Sequence, residues 1–265
     1  MGMIRFVIRH TRPLWLRQKL YFHSAARNKW PETRSGVFEL EFAPFGLRHF
    51  CRTDQGHRQI AWLGFYELPL SRRIASLAKA GGLLVDVGAN IGYFSLMWAG
   101  LHPKNRVLAF EPSPTVNQML RANVTGATFQ NRVEVFDCAL GKARGSMCFD
   151  PRVGEESGWG GLALKPTPRM LEVAVERLDD LVPAGIIIDA LKIDAEGADT
   201  WVLMGAEQLL RARRVRHVFF ERNQPRMTQL GIKWNEPIEF LQGCGYRVAL
   251  LDGDEDMDTT RAEPG

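Results

Sequence analysis

The 265-residue sequence has no Cys-x-x-Cys pair, and its four cysteines, Cys51, Cys138, Cys148 and Cys244, stand far apart. No Cys/His spacing suits zinc, so no zinc motif is read and reduced thiols are expected. There is no uninterrupted apolar run of the roughly 18–20 residues that a membrane-spanning helix needs. The start has no apolar core of the signal-peptide kind, because Arg5, Arg9, Arg12 and Arg17 interrupt it. There is no Gly-Lys-Ser/Thr phosphate loop and no Gly-x-Gly-x-x-Gly dinucleotide fingerprint. No internal repeat is visible. These absences argue for a cytoplasmic chain without a zinc module, a membrane span or a standard nucleotide-phosphate loop.

What is present is ordinary globular composition, 45% hydrophobic and 24% charged, enough for one large domain or one domain with an extension. The formal net charge of +4 hides an asymmetry. Residues 1–34 carry Arg5, Arg9, Arg12, Arg17, Lys19, Arg27, Lys29 and Arg34 against the single acid Glu32. After Leu251 come Asp252, Asp254, Glu255, Asp256, Asp258 and Glu263 against Arg261. The arginines of residues 1–34 interleave with Ile4, Phe6, Val7, Trp15 and Phe22. That pattern suits a segment packed on the main domain, or a peripheral contact with an anionic membrane. No nucleic-acid motif accompanies the charge, so no nucleic-acid partner is expected. The expected division is a basic extension over 1–59, a main domain over 60–251 and a disordered acidic tail over 252–265.

From Leu83 the pattern is regular. "LLVDV" reads as a buried parallel strand, "GYFSLMWAG" as a buried helix and "RVLAFEP" as a second strand. "SPTVNQMLRANV" follows as a helix, with Ser113 as N-cap and Pro114 at its first position. "RVEVFDCAL" is a third strand, and the alternation defines an α/β unit with right-handed crossovers. An insertion interrupts it: "GSMCFD" and "MLEVAVERL" read as strands around a Gly- and Pro-rich loop. The parallel pattern resumes in "IIIDALKID" and "VRHVFFE". The helix "ADTWVLMGAEQLLRAR" between them is weakened by Gly205, and "YRVALL" is read as the last strand.

In an open α/β sheet the ligand sits beyond the carboxyl ends of the strands. Here Asp86, Glu111, Asp137, Asp194 with Glu196, and Glu221 stand at successive strand ends. So many acids argue against a pyrophosphate, which needs backbone N–H groups and few carboxylates. They suit a cofactor with an amino group, a sulfonium and a ribose diol, which describes S-adenosylmethionine. Glu111 lies at the place for an acid that accepts both ribose hydroxyls. Nicotinamide sites use the same device, so a nicotinamide-dependent oxidoreductase stands as the alternative enzyme. A membrane-associated binding module with a vestigial site stands as the alternative of another class.

"VDVGANIGYF", "LAFEPSP", "CALG", "LKIDAEGAD" and "VFFERN", in this order, resemble the FkbM family of S-adenosylmethionine-dependent methyltransferases, over roughly residues 60–250. The resemblance implies a class I methyltransferase fold. That is a Rossmann-like three-layer α/β sandwich on a mostly parallel seven-stranded sheet with one antiparallel strand. It implies O-methylation of a hydroxyl on a sugar, glycolipid or polyketide-like small molecule. Carried over by position, Asp86, Gly88, Ala89, Asn90 and Gly92 would hold the methionine end of the cofactor, Glu111 and Pro112 the ribose, and Asp137 and Cys138 the adenine. Asp194 would face the transferred methyl.

An alcohol has a high pKa, so a placed base should take its proton as the new bond forms. Asp194, Glu196 and Glu221 are the candidates, with His217 ranked below them. Glu67 and Trp159 are candidate acceptor contacts, the indole because an aromatic face suits the apolar side of a sugar or macrolide. No metal is expected, because no His or second Asp completes a ligand set beside these acids. The sequence departs from the family pattern at Asp199-Thr200-Trp201, where Glu followed by an aliphatic pair is more usual.

Overall fold

The computed structural model describes residues 2–152, 159–251 and 260–265. The chain begins with helices α1 (Gly2–His10) and α2 (Leu14–Phe22), then a two-strand ribbon of β1 (Phe38–Glu39) and β2 (Gly46–Leu47). Helix α3 (Gln55–Leu63) follows. The Asp54 carboxylate accepts from the His57 N–H at its first turn, and Gly64 at φ +79° closes it. Helix α4 (Leu68–Ala78) leads into the sheet.

The expected boundary at residue 59 falls inside α3, so the extension does not separate there. Ile8, Leu14 and Tyr21 share one apolar cluster with Ile60, Trp62, Ile74, Tyr93 and Trp98. The extension's charges are not all solvated. Arg17 is buried, donating to Glu41 at 2.8 Å and to the Leu63 carbonyl at 2.9 Å. A buried arginine persists only where its charge is answered in this way.

The main unit then builds β3 (Leu83–Val87), α5 (Tyr93–Leu101), β4 (Arg106–Phe110), α6 (Pro114–Thr125) and β5 (Val133–Phe136). Four strands form the inserted sheet: β6 (Ala139–Leu140), β7 (Gly145–Asp150), β8 (Gly161–Ala163) and β9 (Leu171–Glu176). Helix α7 (Leu178–Leu181), β10 (Ala190–Ile193), α8 (Asp199–Gly205), α9 (Glu207–Arg211) and β11 (Val218–Phe220) continue the main layer. Last come α10 (Gln224–Gln229), α11 (Glu236–Gly243), β12 (Tyr246–Leu250) and β13 (Thr260–Pro264). The main sheet runs β5-β4-β3-β10-β11-β13-β12. Only β13 is antiparallel to its neighbours, as Val218 opposite Ala262 and Val248 opposite Ala262 show. This is the class I methyltransferase arrangement. The order reverses between β3 and β10, and ligand crevices open at such a point.

Several expectations are corrected. Residues 260–264 are not a disordered tail but the reversed strand, and "YRVALL" is the edge strand beside it. Ala262 is buried, and Glu263 pairs with Arg73 at 2.8 Å, which anchors the strand. Residues 252–259, where most of the tail's acids lie, are outside the described residues, as are 153–158 of the insertion. The run "ADTWVLMGAEQLLRAR" is two helices joined at Ala206 rather than one. Gly205 stands at that joint because a Cβ there would fall 2.1 Å from the Gly141 carbonyl oxygen. Ser113 occupies the N-cap position of α6 without a side-chain cap bond, and its backbone N–H goes to Glu111 instead.

Candidate active site

The turn after β3 is shaped by left-handed backbone at Gly88 (φ +67°), Asn90 (φ +51°) and Gly92 (φ +90°). A Cβ on Gly88 would sit 2.0 Å from the Asp194 carbonyl oxygen, so only glycine lets β3 and β10 end this close together. Asn90 tolerates its conformation because its side chain is held. Its Oδ1 accepts from the Ile91 N–H at 2.8 Å and pairs with His57 Nε2 at 2.7 Å. His57 Nδ1 accepts from the Cys51 N–H at 3.0 Å, which leaves the proton on Nε2 to donate to Asn90.

Glu111, just past β4, is buried with 6% exposure. Each of its oxygens takes one backbone donor, Oε2 from Asn90 at 3.0 Å and Oε1 from Ser113 at 2.9 Å. Burial pushes its carboxyl up to about 7, against the pull of those two N–H groups. Each oxygen keeps acceptor capacity to spare, and Glu111 lines a narrow slot with Gly88, Pro112, Cys138, Leu140, Phe149 and Leu162.

The slot meets a larger cavity of about 290 Å³ at Gly88, Asn90 and Asp194. Among the described residues five carboxylates line that cavity: Asp54, Glu67, Asp194, Glu196 and Glu221. His57, Tyr66, Trp159 and Asn223 complete its walls. Lys192 supplies its cation from beneath. Its Nζ donates to the Gly88 carbonyl at 2.9 Å and lies 3.3 Å from Asp86 and 3.5 Å from Asp194. Burial alone would lower the ammonium's pKa, but Asp86, Asp194 and Glu67 outweigh it and the net shift is upward.

Glu196, itself in left-handed backbone at φ +50°, accepts from Asn223 Nδ2 at 3.2 Å. Burial first, then the charges of Asp194 and Glu221, push its carboxyl up to about 9. Asp199 is buried behind this row and ties two strand-end loops together, accepting from Glu221 N at 3.0 Å and Ala195 N at 3.3 Å. Among the described residues no group of three or more His, Cys, Asp or Glu is placed to hold a metal ion.

A folded-state pKa of Glu196 near 9, against an ordinary 4.5, means that the folded chain binds more protons than the unfolded one between those values. Stability must therefore fall as pH rises through that window. Glu196→Gln removes this dependence. Its melting temperature, measured from pH 5 to 9, is expected to gain on the parent chain as pH rises. Parallel curves would contradict the assignment.

The structure gathers most of the residues chosen from sequence and sets four aside. Gly88, Ala89, Asn90, Glu111, Pro112, Cys138, Asp194, Glu196, Glu221, Glu67 and Trp159 all line the slot or the cavity. Asp86 does not. It is fully buried beneath the floor, accepting from Ser95 Oγ at 2.6 Å and facing Lys192. Asp137 is exposed and lines neither space. Gly92 shapes the turn against Leu120 without lining either space. His217 precedes β11, at the end of the strand opposite the site, and pairs with Glu263 at 3.0 Å.

Reasoning from sequence passed over Lys192, Asp54, His57, Tyr66 and Asn223. Lys192 carried a signal, a lysine inside the apolar strand "ALKI", where only a paired cation survives. His57 carried none, since nothing in "DQGHRQI" marks one histidine as facing a loop 33 residues away.

The sheet order, the glycine turn and the buried acid past β4 define the class I S-adenosylmethionine-dependent methyltransferases. The residues fit that cofactor, with paired acceptors at Glu111, close backbone approach at Gly88 and acids around the adjoining cavity. The chain belongs to the FkbM methyltransferase family, whose "Methyltransferase FkbM domain" model matches residues 86–248. It is 33% identical over 160 residues to the 31-O-demethyl-FK506 methyltransferase FkbM of Streptomyces tacrolimicus, covering 49% of this chain and 61% of that one. It is 28% identical to the 2-O-methyltransferase NoeI of Sinorhizobium fredii, covering 64% of this chain and 70% of that one. It is also 28% identical to the AMB antimetabolite synthetase AmbE of Pseudomonas aeruginosa, over 69% of this chain but a tenth (10%) of that much longer protein.

Proposed function

We propose that the chain O-methylates a hydroxyl of a sugar, glycolipid or polyketide-like small molecule. The observation that carries this reading is the convergence of Asp194, Glu196 and Glu221, from two neighbouring strand ends, on the cavity that opens beside the glycine turn. The printed names of two relatives, a 31-O-demethyl-FK506 methyltransferase and a 2-O-methyltransferase, support an oxygen acceptor.

When bound, S-adenosylmethionine supplies a methyl group on a sulfonium, with a neutral thioether as leaving group. Glu111 would hold the ribose, and the Gly88–Asn90 turn and Asp194 the methionine half, with Pro112 and Cys138 walling the slot for the base. The protein's main work is alignment and exclusion of water. Asp194 takes the acceptor's proton at its carboxylate. Glu196, protonated at neutral pH by its raised pKa, donates to the acceptor instead of competing as base. Glu221, whose backbone Asp199 pins, orients the acceptor from the neighbouring strand end. Trp159, 62% exposed, offers its face at the cavity mouth, and Glu67 closes the side.

No helix among the described residues is long and apolar enough to cross a membrane. Peripheral contact with an anionic surface fits residues 1–34, where Ile4, Phe6, Val7, Trp15 and Phe22 stay exposed. The test of the main reading is incubation with S-adenosylmethionine and a panel of glycosides and macrolides. The expected product is a methyl ether resolved by mass and carbon NMR. Transfer to nitrogen or carbon would contradict it.

A further inference from the structure

Beside the catalytic cavity runs a second hollow of about 510 Å³, which shares Gly56, Tyr66 and Trp159 with it. The two have opposite chemistry. Carboxylates ring the cavity, whereas Arg27 and Arg58 line the hollow and, among the described residues, no acid does. Tyr21 and Phe22 form its outer wall, and Tyr66 and Trp159 stand between it and the cavity.

The two guanidiniums are poorly satisfied. Arg58 donates to the carbonyls of Arg27 at 3.1 Å and Thr53 at 3.4 Å, and its Nε is buried without a hydrogen-bond partner among the described residues. Among the described residues the Arg27 side chain reaches only the Phe22 carbonyl, at 3.5 Å. Neither has a carboxylate partner among the described residues. Three other arginines of the extension are answered by acids, Arg17 and Arg12 by Glu41 and Arg9 by Glu39. Burial pushes the nearby Tyr21 hydroxyl up to about 12, while Arg58 and Arg27 pull the other way. A forked cation held by carbonyls and open on one side matches an oxyanion.

We propose that this hollow is a second subsite for the methyl acceptor, taking a phosphate-class group carried by the same molecule whose hydroxyl enters the cavity. The choice of acceptor rests on the O-methyltransferase reading. Charge sorts the two ends: the acids of the cavity reject an anion and admit a neutral sugar hydroxyl, while the arginines hold the anion outside. Trp159 and Tyr66, common to both spaces, offer aromatic faces to the ring between. The phosphate reaches the site either on a soluble glycosyl phosphate or on a phosphate-linked lipid. Phe22 belongs to the hollow and, one helical face with Trp15, to the exposed apolar surface of α2.

The test is calorimetric titration of the full chain with inorganic pyrophosphate, glucose 1-phosphate and, as neutral control, glucose. Flotation with phosphatidylcholine vesicles, with and without phosphatidylglycerol, runs beside it. Saturable binding of the two phosphates or of the anionic vesicles, but not of glucose or neutral vesicles, is expected. Arg58→Gln and Arg27→Gln should each weaken it about tenfold, and Arg58→Lys less. Soluble phosphate binding alone assigns a soluble acceptor, and vesicle binding lost in Arg58→Gln assigns a lipid-borne one. Absence of binding by every anionic probe, or binding indifferent to both arginines, overturns the proposal. S-adenosylmethionine is titrated into the same samples and should bind the parent chain and all variants equally, which also reports that each has folded. No S-adenosylmethionine binding by the parent chain defeats the methyltransferase reading. Its binding without any anion defeats the subsite alone.

Discussion

Asp194→Asn is expected to lower methyl transfer by about 10²–10⁴-fold while leaving the affinity for S-adenosylmethionine within a few-fold. Among the described residues the side chain is the one carboxylate shared by the slot and the cavity, just past β10 and 3.5 Å from Lys192. Asparagine keeps the shape and the hydrogen-bonding capacity and removes the proton acceptor. Glu196 is a poor substitute, because burial and the charge of Glu221 still favour its protonated form after the Asp194 charge is gone. The assay is turnover on an acceptor found in the glycoside and macrolide panel, with cofactor affinity measured on the same preparation. Surviving turnover, with Glu221→Gln removing it, would move the base to the β11 end.

Lys192→Met is expected to destabilise the fold by about 3–5 kcal/mol, because removing one partner leaves Asp86 as an uncompensated buried charge. Among the described residues Asp86 Oδ1 has no hydrogen-bond partner, and it relies on the ammonium 3.3 Å away. The same ammonium ties the Gly88 and Val87 carbonyls, so the glycine turn should loosen with it. Urea unfolding of the parent and variant measures the difference, and adding Asp86→Asn should recover part of it. A single variant as stable as the parent chain would show that the pair contributes nothing to holding the turn.

How much of this was legible in the sequence depends on the range of the interaction. The parallel core was legible because β3, β4 and β10 are largely buried and read as mostly apolar runs, each with an acid at or just past its end. The glycine turn, Glu111 and the Asp194–Glu196 pair sit within that frame and could be placed by position. Strand β13 was not legible. Its sequence "TRAEP" has no apolar run and is a strand because β11 and β12 leave a gap that it fills. The extension's share of the site was hidden for a similar reason. His57, Asp54 and Tyr66 reach the cavity only through the packing of α3 against the core. Asp86 and Asp137 were assigned from position at a strand end. The first is turned under the floor by Ser95 and Lys192, and the second faces solvent.

The central claim is that the glycine turn and Glu111 form the seat of a methyl donor, and one titration tests it most directly. Calorimetry of S-adenosylmethionine into the parent chain should give saturable one-to-one binding, with no response to NADH. Glu111→Ala should weaken it by about 30-fold or more, since the two hydrogen bonds proposed from its carboxyl to the ribose would be lost. No binding by the parent chain, or unchanged affinity in Glu111→Ala, would contradict the account.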